Sequence, residues 1–183
     1  PPQPSTLPLY GYPLFLAWLY SAFGQSPQAV YLVQAVLGSL LCLSVFGIAY
    51  ELFDKNKYIG LIAALLVSLF SPFIEYTGCV LTETLATFTL ALSVYLFILA
   101  LKSAESRLVF LSGMAFGLAV VSRDLFFYLV IFILITAFIA LWPRSKTTLR
   151  FLSLFLVGVA LACSPVLARG AHLFGSFNFG QLV

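Results

Sequence analysis

Six long apolar runs, separated by short polar turns, limit what this chain can fold into. They cover residues 29–50, 58–74, 80–101, 108–122, 125–142 and 151–168. A helix needs about 20 apolar residues to cross a bilayer, because in lipid its backbone groups must bond to one another. Only 8% of the residues are charged and 62% are hydrophobic, whereas about 25% are charged in a typical soluble domain. The composition excludes a soluble domain, a nucleic-acid-binding protein and a disordered segment. The runs predict an all-α, polytopic transmembrane helical bundle of about six spans.

The first 28 residues do not form a further span. Their apolar part, residues 13–23, reaches only about 16 Å as a helix. Pro13 suits a first helical position and Gly24 suits a helix end. Trp18 and the neighbouring tyrosines favour lipid headgroups, so we predict a helix lying at the outer interface. The predicted organisation is an extracytoplasmic segment with a juxtamembrane helix (1–28), a transmembrane core (29–169) and the start of a next outer loop (170–183).

The basic residues predict the orientation of the bundle. Seven of the nine lysines and arginines fall in the turns 51–57, 102–107 and 143–150. If the six runs are spans, these turns share one side of the membrane, and only Arg123 and Arg169 lie on the other. The positive-inside rule places the basic side in the cytoplasm, so both chain ends lie outside. The chain begins outside with neither Met nor a signal segment, and we therefore predict that a first span and loop precede it in the intact protein.

The fourth run is the shortest and carries the motif Gly113-Met114-Ala115-Phe116-Gly117. A GxxxG pattern allows another helix to approach closely. We therefore predict that this helix is buried inside the bundle rather than facing lipid.

Three acidic residues, Glu75, Glu83 and Asp124, map to the outer side. Glu83 lies at the outer start of the third run, where two explanations are open. A carboxylate there is stabilised by the helix dipole by about 0.3–1 kcal/mol, or it faces an outer cavity as a catalytic or metal-binding group. Glu75 lies in a turn-rich loop, where a solvated role and a functional role are both open.

Cationic and aromatic side chains map to the same level. Arg123 either pairs with Asp124 at the surface or binds a phosphate, whose oxygens suit a planar guanidinium. Arg169 and His172 follow the last run, and His172 is either an interface residue or a ligand. Together these groups predict a site at the outer leaflet, with carboxylates for acid–base or metal chemistry and arginines for a lipid phosphate.

The order of the short motifs resembles a known superfamily. The motifs are Leu7-Pro8-Leu9-Tyr10-Gly11-Tyr12-Pro13-Leu14-Phe15, Tyr50-Glu51-Leu52-Phe53, Ser71-Pro72-Phe73-Ile74-Glu75-Tyr76, Leu81-Thr82-Glu83-Thr84-Leu85, Ser122-Arg123 and Ser164-Pro165 followed by Arg169. The chain is similar to C-type glycosyltransferases of the protein O-mannosyltransferase and lipid A aminoarabinose transferase-like superfamily. The resemblance implies a multi-span helical enzyme with an extracytoplasmic active site in the plasma membrane. It also implies transfer of a sugar from a polyprenyl-phosphate-linked donor to a hydroxyl of a protein or glycolipid acceptor.

The resemblance also implies roles for individual residues. Glu83 takes the acidic position of the second outer loop, with Glu75 as a second catalytic candidate and Glu83 as a candidate ligand of a possible divalent metal. The donor phosphate is assigned to Arg123, Arg169, Tyr76 and His172. Two motifs depart from the superfamily, since Ser122-Arg123-Asp124 stands for Thr-Arg-Pro and Arg169-Gly170 for Arg-Asn. The principal catalytic acid is expected upstream of this chain, so the chain alone is expected to be inactive.

Two other functions are compatible with a helical membrane bundle. A secondary transporter places polar groups near mid-membrane and often shows an inverted repeat, whereas here the charges gather at the ends of the runs and no repeat is evident. A structural membrane subunit explains the GxxxG motif but leaves the outer Glu and Arg residues without a role.

Overall fold

The computed structural model of the protein describes residues 11–103, 105–141 and 145–174, without the side chains at positions 124, 145–147, 167 and 169–174. Helices and short turns make up these ranges, in which no strand occurs. The helices are α1 (Gly11–Phe23), α2 (Pro27–Leu52), α3 (Lys57–Ser68), α4 (Ser71–Thr77), α5 (Glu83–Ser103), α6 (Ser106–Ser122), α7 (Leu129–Leu141) and α8 (Ser145–Phe174), with a 3₁₀ helix at Asp124–Tyr128. The prediction of an all-α bundle is confirmed.

Three of the described helices are long and apolar enough to cross a bilayer. They are α2, α5 and the Thr148–Val166 part of α8, and α3 with α4 forms a fourth candidate. The apolar helices α6 and α7 are shorter, with 17 and 13 residues. The described residues therefore confirm a polytopic bundle with three or four candidate spans, and the count of six stays a prediction.

Apolar side chains cover the outer faces of the bundle. On α3, Leu61, Ile62, Leu65 and Leu66 are all more than half exposed. On α7, Ile131, Phe132 and Ile139 are exposed in the same way. Apolar surfaces of this extent are typical of contact with lipid, which agrees with an integral membrane protein.

The run predicted over residues 58–74 is not one continuous helix. The chain breaks between α3 and α4, and the two helices are bent by 60°. Pro72 explains the break, because in a continuous helix its ring would clash with the carbonyl of Ser68 and its missing N–H would leave that carbonyl unbonded. The run is therefore bent at Pro72 rather than continuous. Its prediction as one span stays a prediction, with α3 and α4 as the candidate.

The run predicted over residues 125–142 also begins differently. Its first turn is the 3₁₀ helix Asp124–Tyr128, and the α-helical part is only Leu129–Leu141. In contrast, α8 continues through Pro165. Pro165 has no N–H to offer the Leu161 carbonyl, and the Ser164 hydroxyl donates to that carbonyl instead at 2.7 Å.

Small residues bring α6 and α8 into close contact. The backbone of Gly113 lies directly against the Phe155 carbonyl, and a Cβ at Gly117 would come within 2.8 Å of the Val159 carbonyl. From the other side, a Cβ at Gly158 would come within 2.5 Å of the Phe110 carbonyl. Since α6 is also largely buried, the prediction from the GxxxG motif is confirmed.

Hydrogen bonds join α6 to α5 on its other side. The hydroxyls of Ser93 and Ser112 are fully buried, and each donates to the backbone carbonyl of the other residue at 2.9 Å. Phe116 of α6 and Phe97 of α5 both pack against the ring of Phe155, with ring centroids 5.7 and 6.2 Å apart. α6 is thus fixed between α5 and α8.

The two ends of the bundle differ in charge. α2 and α5 run parallel, and their last turns meet where Lys102 Nζ lies 2.9 Å from Glu51 Oε2. The turn at 53–56, the start of α6 and the start of α8 lie at this end, which we call the basic end. The opposite end holds the starts of α2 and α5 and the end of α6, and we call it the Glu83 end.

Candidate active site

Helix α1 packs on the Glu83 end of the bundle. Its first residue, Gly11, lies against the end of α6, where a Cβ would come within 2.6 Å of the Val121 carbonyl. Tyr12 and Leu19 are buried, whereas Trp18 is 64% exposed. Gly24 follows the helix with φ of +73°, so its predicted role as a helix end is confirmed. The helix begins at Gly11, two residues before the predicted Pro13.

An ion pair joins α5 to α6 at this end. Arg123 Nη1 donates to Glu83 Oε1 at 2.9 Å, and the Thr82 hydroxyl donates to Glu83 Oε2 at 3.2 Å. Glu83 opens α5, while Arg123 ends α6 in extended backbone with φ of −153°. The two side chains are 21% and 40% exposed, respectively. The structure thus brings together two of the predicted site residues, Glu83 and Arg123. Phosphate binding by Arg123 stays a prediction.

A second polar contact lies beneath α1. Gln34, fully buried in α2, donates from Nε2 to the Tyr12 hydroxyl oxygen and to the Leu81 carbonyl, both at 3.0 Å. Gln34 is not among the site residues predicted from the sequence, all of which are charged, histidine or tyrosine. Its position inside an apolar run was the available signal, because polar side chains at membrane depth are costly and commonly functional.

The Tyr12 hydroxyl titrates far from its usual range. Burial, followed by the nearby Tyr20, raises the pKa of Tyr12 to about 12, while the hydrogen bond from Gln34 acts in the opposite direction. Tyr12 therefore keeps its proton at neutral pH.

Two buried polar atoms beside these groups lack a partner among the described residues. They are Gln34 Oε1 and the Thr84 hydroxyl oxygen. Leaving such an atom unbonded costs about 1–3 kcal/mol, and such atoms are rare enough in native proteins to need an explanation. Both lie on the helices that carry the site, α2 and the first turn of α5.

Of the other predicted site residues, Glu75 and Tyr76 have described side chains, and both lie on α4. The Glu75 carboxylate is exposed on α4 and accepts a hydrogen bond from the Ser71 hydroxyl at 2.7 Å. Tyr76 is half-buried on the same helix. Arg169 and His172 lie in α8, which runs toward the Glu83 end, but their side chains lie outside the described residues, as does that of Asp124.

One comparison with known proteins identifies the family. The sequence profile of the dolichyl-phosphate-mannose-protein mannosyltransferase family matches residues 8–168, which is most of the chain. The chain belongs to this family. No curated protein and no solved structure matches the chain. As a member of the mannosyltransferase family, the protein is a membrane glycosyltransferase of the mannosyltransferase-like type, and the resemblance noted in its motifs is confirmed.

The described side chains do not by themselves form a metal centre in this mannosyltransferase-family protein. No group of three or more His, Cys, Asp or Glu side chains comes together among the described residues. The Glu83 carboxylate instead has a guanidinium and a hydroxyl as neighbours. The role of Glu83 as a ligand of a possible divalent metal stays a prediction.

Proposed function

We propose that the protein transfers a sugar from a polyprenyl-phosphate-linked donor to an acceptor hydroxyl at the extracytoplasmic face of the plasma membrane. The acceptor is a protein or a glycolipid. The family match supports the glycosyltransferase class. The polyprenyl-phosphate donor, the extracytoplasmic location of the reaction and the roles of individual residues go beyond this match and are proposed.

The Glu83–Arg123 pair is the observation that carries the proposal. It lies at the Glu83 end, whereas Lys55, Lys57 and Lys102 lie at the basic end. Because basic turns stay in the cytoplasm, the pair faces outward in the proposed orientation. That is the face at which a lipid-linked sugar meets an acceptor outside the cell.

Arg123 is assigned to the phosphate of the donor. A guanidinium has five N–H donors in a planar fork, and Glu83 accepts from one of its terminal nitrogens. The side chain is 40% exposed, so further donors are accessible to a phosphate. Positive charge at this point stabilises the polyprenyl phosphate as it leaves the anomeric carbon.

Glu83 is assigned to the acceptor and to the orientation of Arg123. During transfer the bond between the anomeric carbon and the phosphate oxygen breaks, and the acceptor oxygen forms the new bond. The proton of the acceptor hydroxyl passes to a carboxylate base, for which Glu83 and Glu75 are the candidates on this chain. Tyr76, Arg169 and His172 remain proposed contacts of the donor phosphate.

Substitution of Arg123 tests the phosphate assignment. We expect Arg123→Lys to raise the KM for the donor about tenfold, since it keeps the charge but loses the planar fork. Arg123→Gln is expected to lower kcat/KM about 100-fold, because the charge is lost as well. The assay uses radiolabelled polyprenyl-phosphate mannose, envelope acceptors from a strain lacking the gene, and the protein as its full gene encodes it.

Arg150→Gln is the matched control, because Arg150 is exposed on α8 near the basic end. It makes the same chemical change without touching the proposed site, and we expect wild-type kinetics. If Arg123→Gln and Arg150→Gln have the same donor KM and kcat, Arg123 does not contact the donor phosphate.

A further inference from the structure

Gln34 connects three separate parts of the chain through one side chain. From α2 its amide nitrogen donates to Tyr12 on α1 and to the Leu81 carbonyl in the turn before α5. These partners are 22 and 47 residues away in sequence. The side chain is fully buried, so water does not compete for its two N–H donors.

Packing alone does not account for an amide at this position. Burying an amide in apolar surroundings is unfavourable unless each polar atom is bonded, and Gln34 Oε1 has no partner among the described residues. An apolar side chain of similar size would avoid this cost. The two N–H bonds are therefore the property that distinguishes Gln34 from a leucine in the same helix.

One bond of Gln34 ends two residues from Glu83, and the other ends on α1 at the same end of the bundle. Leu81 lies two residues before Glu83, and the intervening Thr82 donates its hydroxyl to the Glu83 carboxylate. Tyr12 lies on α1, whose first residue packs against the end of α6 that precedes Arg123. Holding the Leu81 carbonyl therefore holds the backbone from which Glu83 extends, and the bond to Tyr12 holds α1 against the same end of the bundle.

We propose that Gln34 and Tyr12 are positioning residues, which hold α1 and the start of α5 together so that Glu83 stays aligned with Arg123. Neither side chain needs to touch the substrate for this role. The expected effect on sugar transfer rests on the proposed function, whereas the alignment of the ion pair is a property of the fold and is tested separately.

A double-mutant cycle tests the alignment without any activity. The variants Glu83→Gln, Arg123→Gln and both together are unfolded thermally in lipid nanodiscs, in the native and in the Gln34→Leu background. The cycle measures the coupling between Glu83 and Arg123, which is the amount by which their effects on the free energy of unfolding depart from additivity. We expect this coupling to fall by about half or more in the Gln34→Leu background, and to stay unchanged in the Gln28→Leu background.

Gln28→Leu is the matched control because it makes the same substitution on the same helix. Gln28 is exposed, and its side chain accepts a hydrogen bond from the Ser26 hydroxyl at 2.8 Å, its one bond among the described residues. Tyr12→Phe is the second variant, which removes the oxygen bound by Gln34 but keeps the ring. If Gln34→Leu does not fold, the same double-mutant cycle is measured in the Tyr12→Phe background.

Kinetics form the second arm of the test. We expect Gln34→Leu to lower kcat about tenfold with little change in donor KM, since misplacing a catalytic group affects the chemical step most strongly. Tyr12→Phe should act in the same direction and more weakly. A merely destabilised protein would instead show a lower active fraction in proportion to its unfolding, and its Glu83–Arg123 coupling would be intact.

The outcomes separate this inference from the proposed function. An unchanged coupling in both Gln34→Leu and Tyr12→Phe overturns the inference. A reduced coupling with an unchanged kcat supports the positioning and contradicts the catalytic role proposed for Glu83. A reduced coupling together with a reduced kcat supports the inference. If the wild-type protein transfers no sugar from the polyprenyl donor, the proposed function fails, and the coupling alone then decides whether Gln34 and Tyr12 position Glu83.

Discussion

Glu83→Gln is expected to lower kcat for sugar transfer about 100-fold or more, while the amount of protein in the membrane stays unchanged. Gln keeps the shape of the side chain but removes the charge that orients the Arg123 guanidinium and that can accept a proton. Loss of one group that stabilises charge developing in the transition state typically costs a factor of about 10²–10³. The fold should tolerate the change, because ion pairs with partly exposed partners contribute little to stability.

Glu51→Gln provides a closely matched control. Glu51 is also an acid paired with a cation at 2.9 Å, but its partner Lys102 lies at the basic end. The two variants therefore lose the same charge from the same kind of pair at opposite ends of the bundle. We expect Glu51→Gln to retain near wild-type transfer, and a wild-type rate for Glu83→Gln would remove Glu83 from the active site.

The double variant Gly113→Ala/Gly117→Ala is expected to lower the free energy of unfolding by about 3 kcal/mol or more. On helix propensity alone, each Gly→Ala change would stabilise a helix by up to about 1 kcal/mol. Overpacking opposes this and costs about 1–3 kcal/mol or more at each site, because the new Cβ atoms meet the Phe155 and Val159 carbonyls. Backbone atoms of α8 cannot rotate away as a flexible side chain can, so α6 and α8 must separate.

Unfolding in detergent, followed by circular dichroism, measures this effect. Gly78→Ala is the control, since a Cβ there would lie 3.6 Å from the Glu75 carbonyl, which is ordinary contact distance. A double variant as stable as the wild type would contradict the close approach of α6 and α8. Because Arg123 ends α6, we also expect the double variant to transfer sugar more slowly.

The parts of the fold that depend on local pattern were predictable. The apolar runs located α2, α5 and α8, and the GxxxG motif indicated the buried helix α6. The break between α3 and α4 was missed because average hydropathy carries no information on backbone geometry, whereas the ring of Pro72 decides it. The 3₁₀ turn before α7 has no comparable signal in its apolar sequence, Asp124–Tyr128.

The candidate site was predictable in its charges and not in its hydrogen bonds. The alternation of basic turns placed Glu83 and Arg123 on one side of the membrane, but their contact depends on how α5 and α6 pack. Tyr12 was interpreted as one of several headgroup aromatics, because nothing local distinguishes it from Tyr10 or Tyr20. Its bond to Gln34 depends on tertiary packing between residues 22 positions apart.

The central claim is that the Glu83 end faces outward and the basic end faces the cytoplasm. Cys79 offers a direct probe, since it is exposed in the turn between α4 and α5, four residues before Glu83. One variant keeps Cys79 as its only cysteine, and a second has Lys55→Cys as its only cysteine. A membrane-impermeant maleimide is then added to intact cells and to permeabilised cells. We predict that Cys79 is labelled in intact cells and that the Lys55→Cys variant is labelled only after permeabilisation. Labelling of both positions from the same side would contradict the proposed orientation and the active site that depends on it.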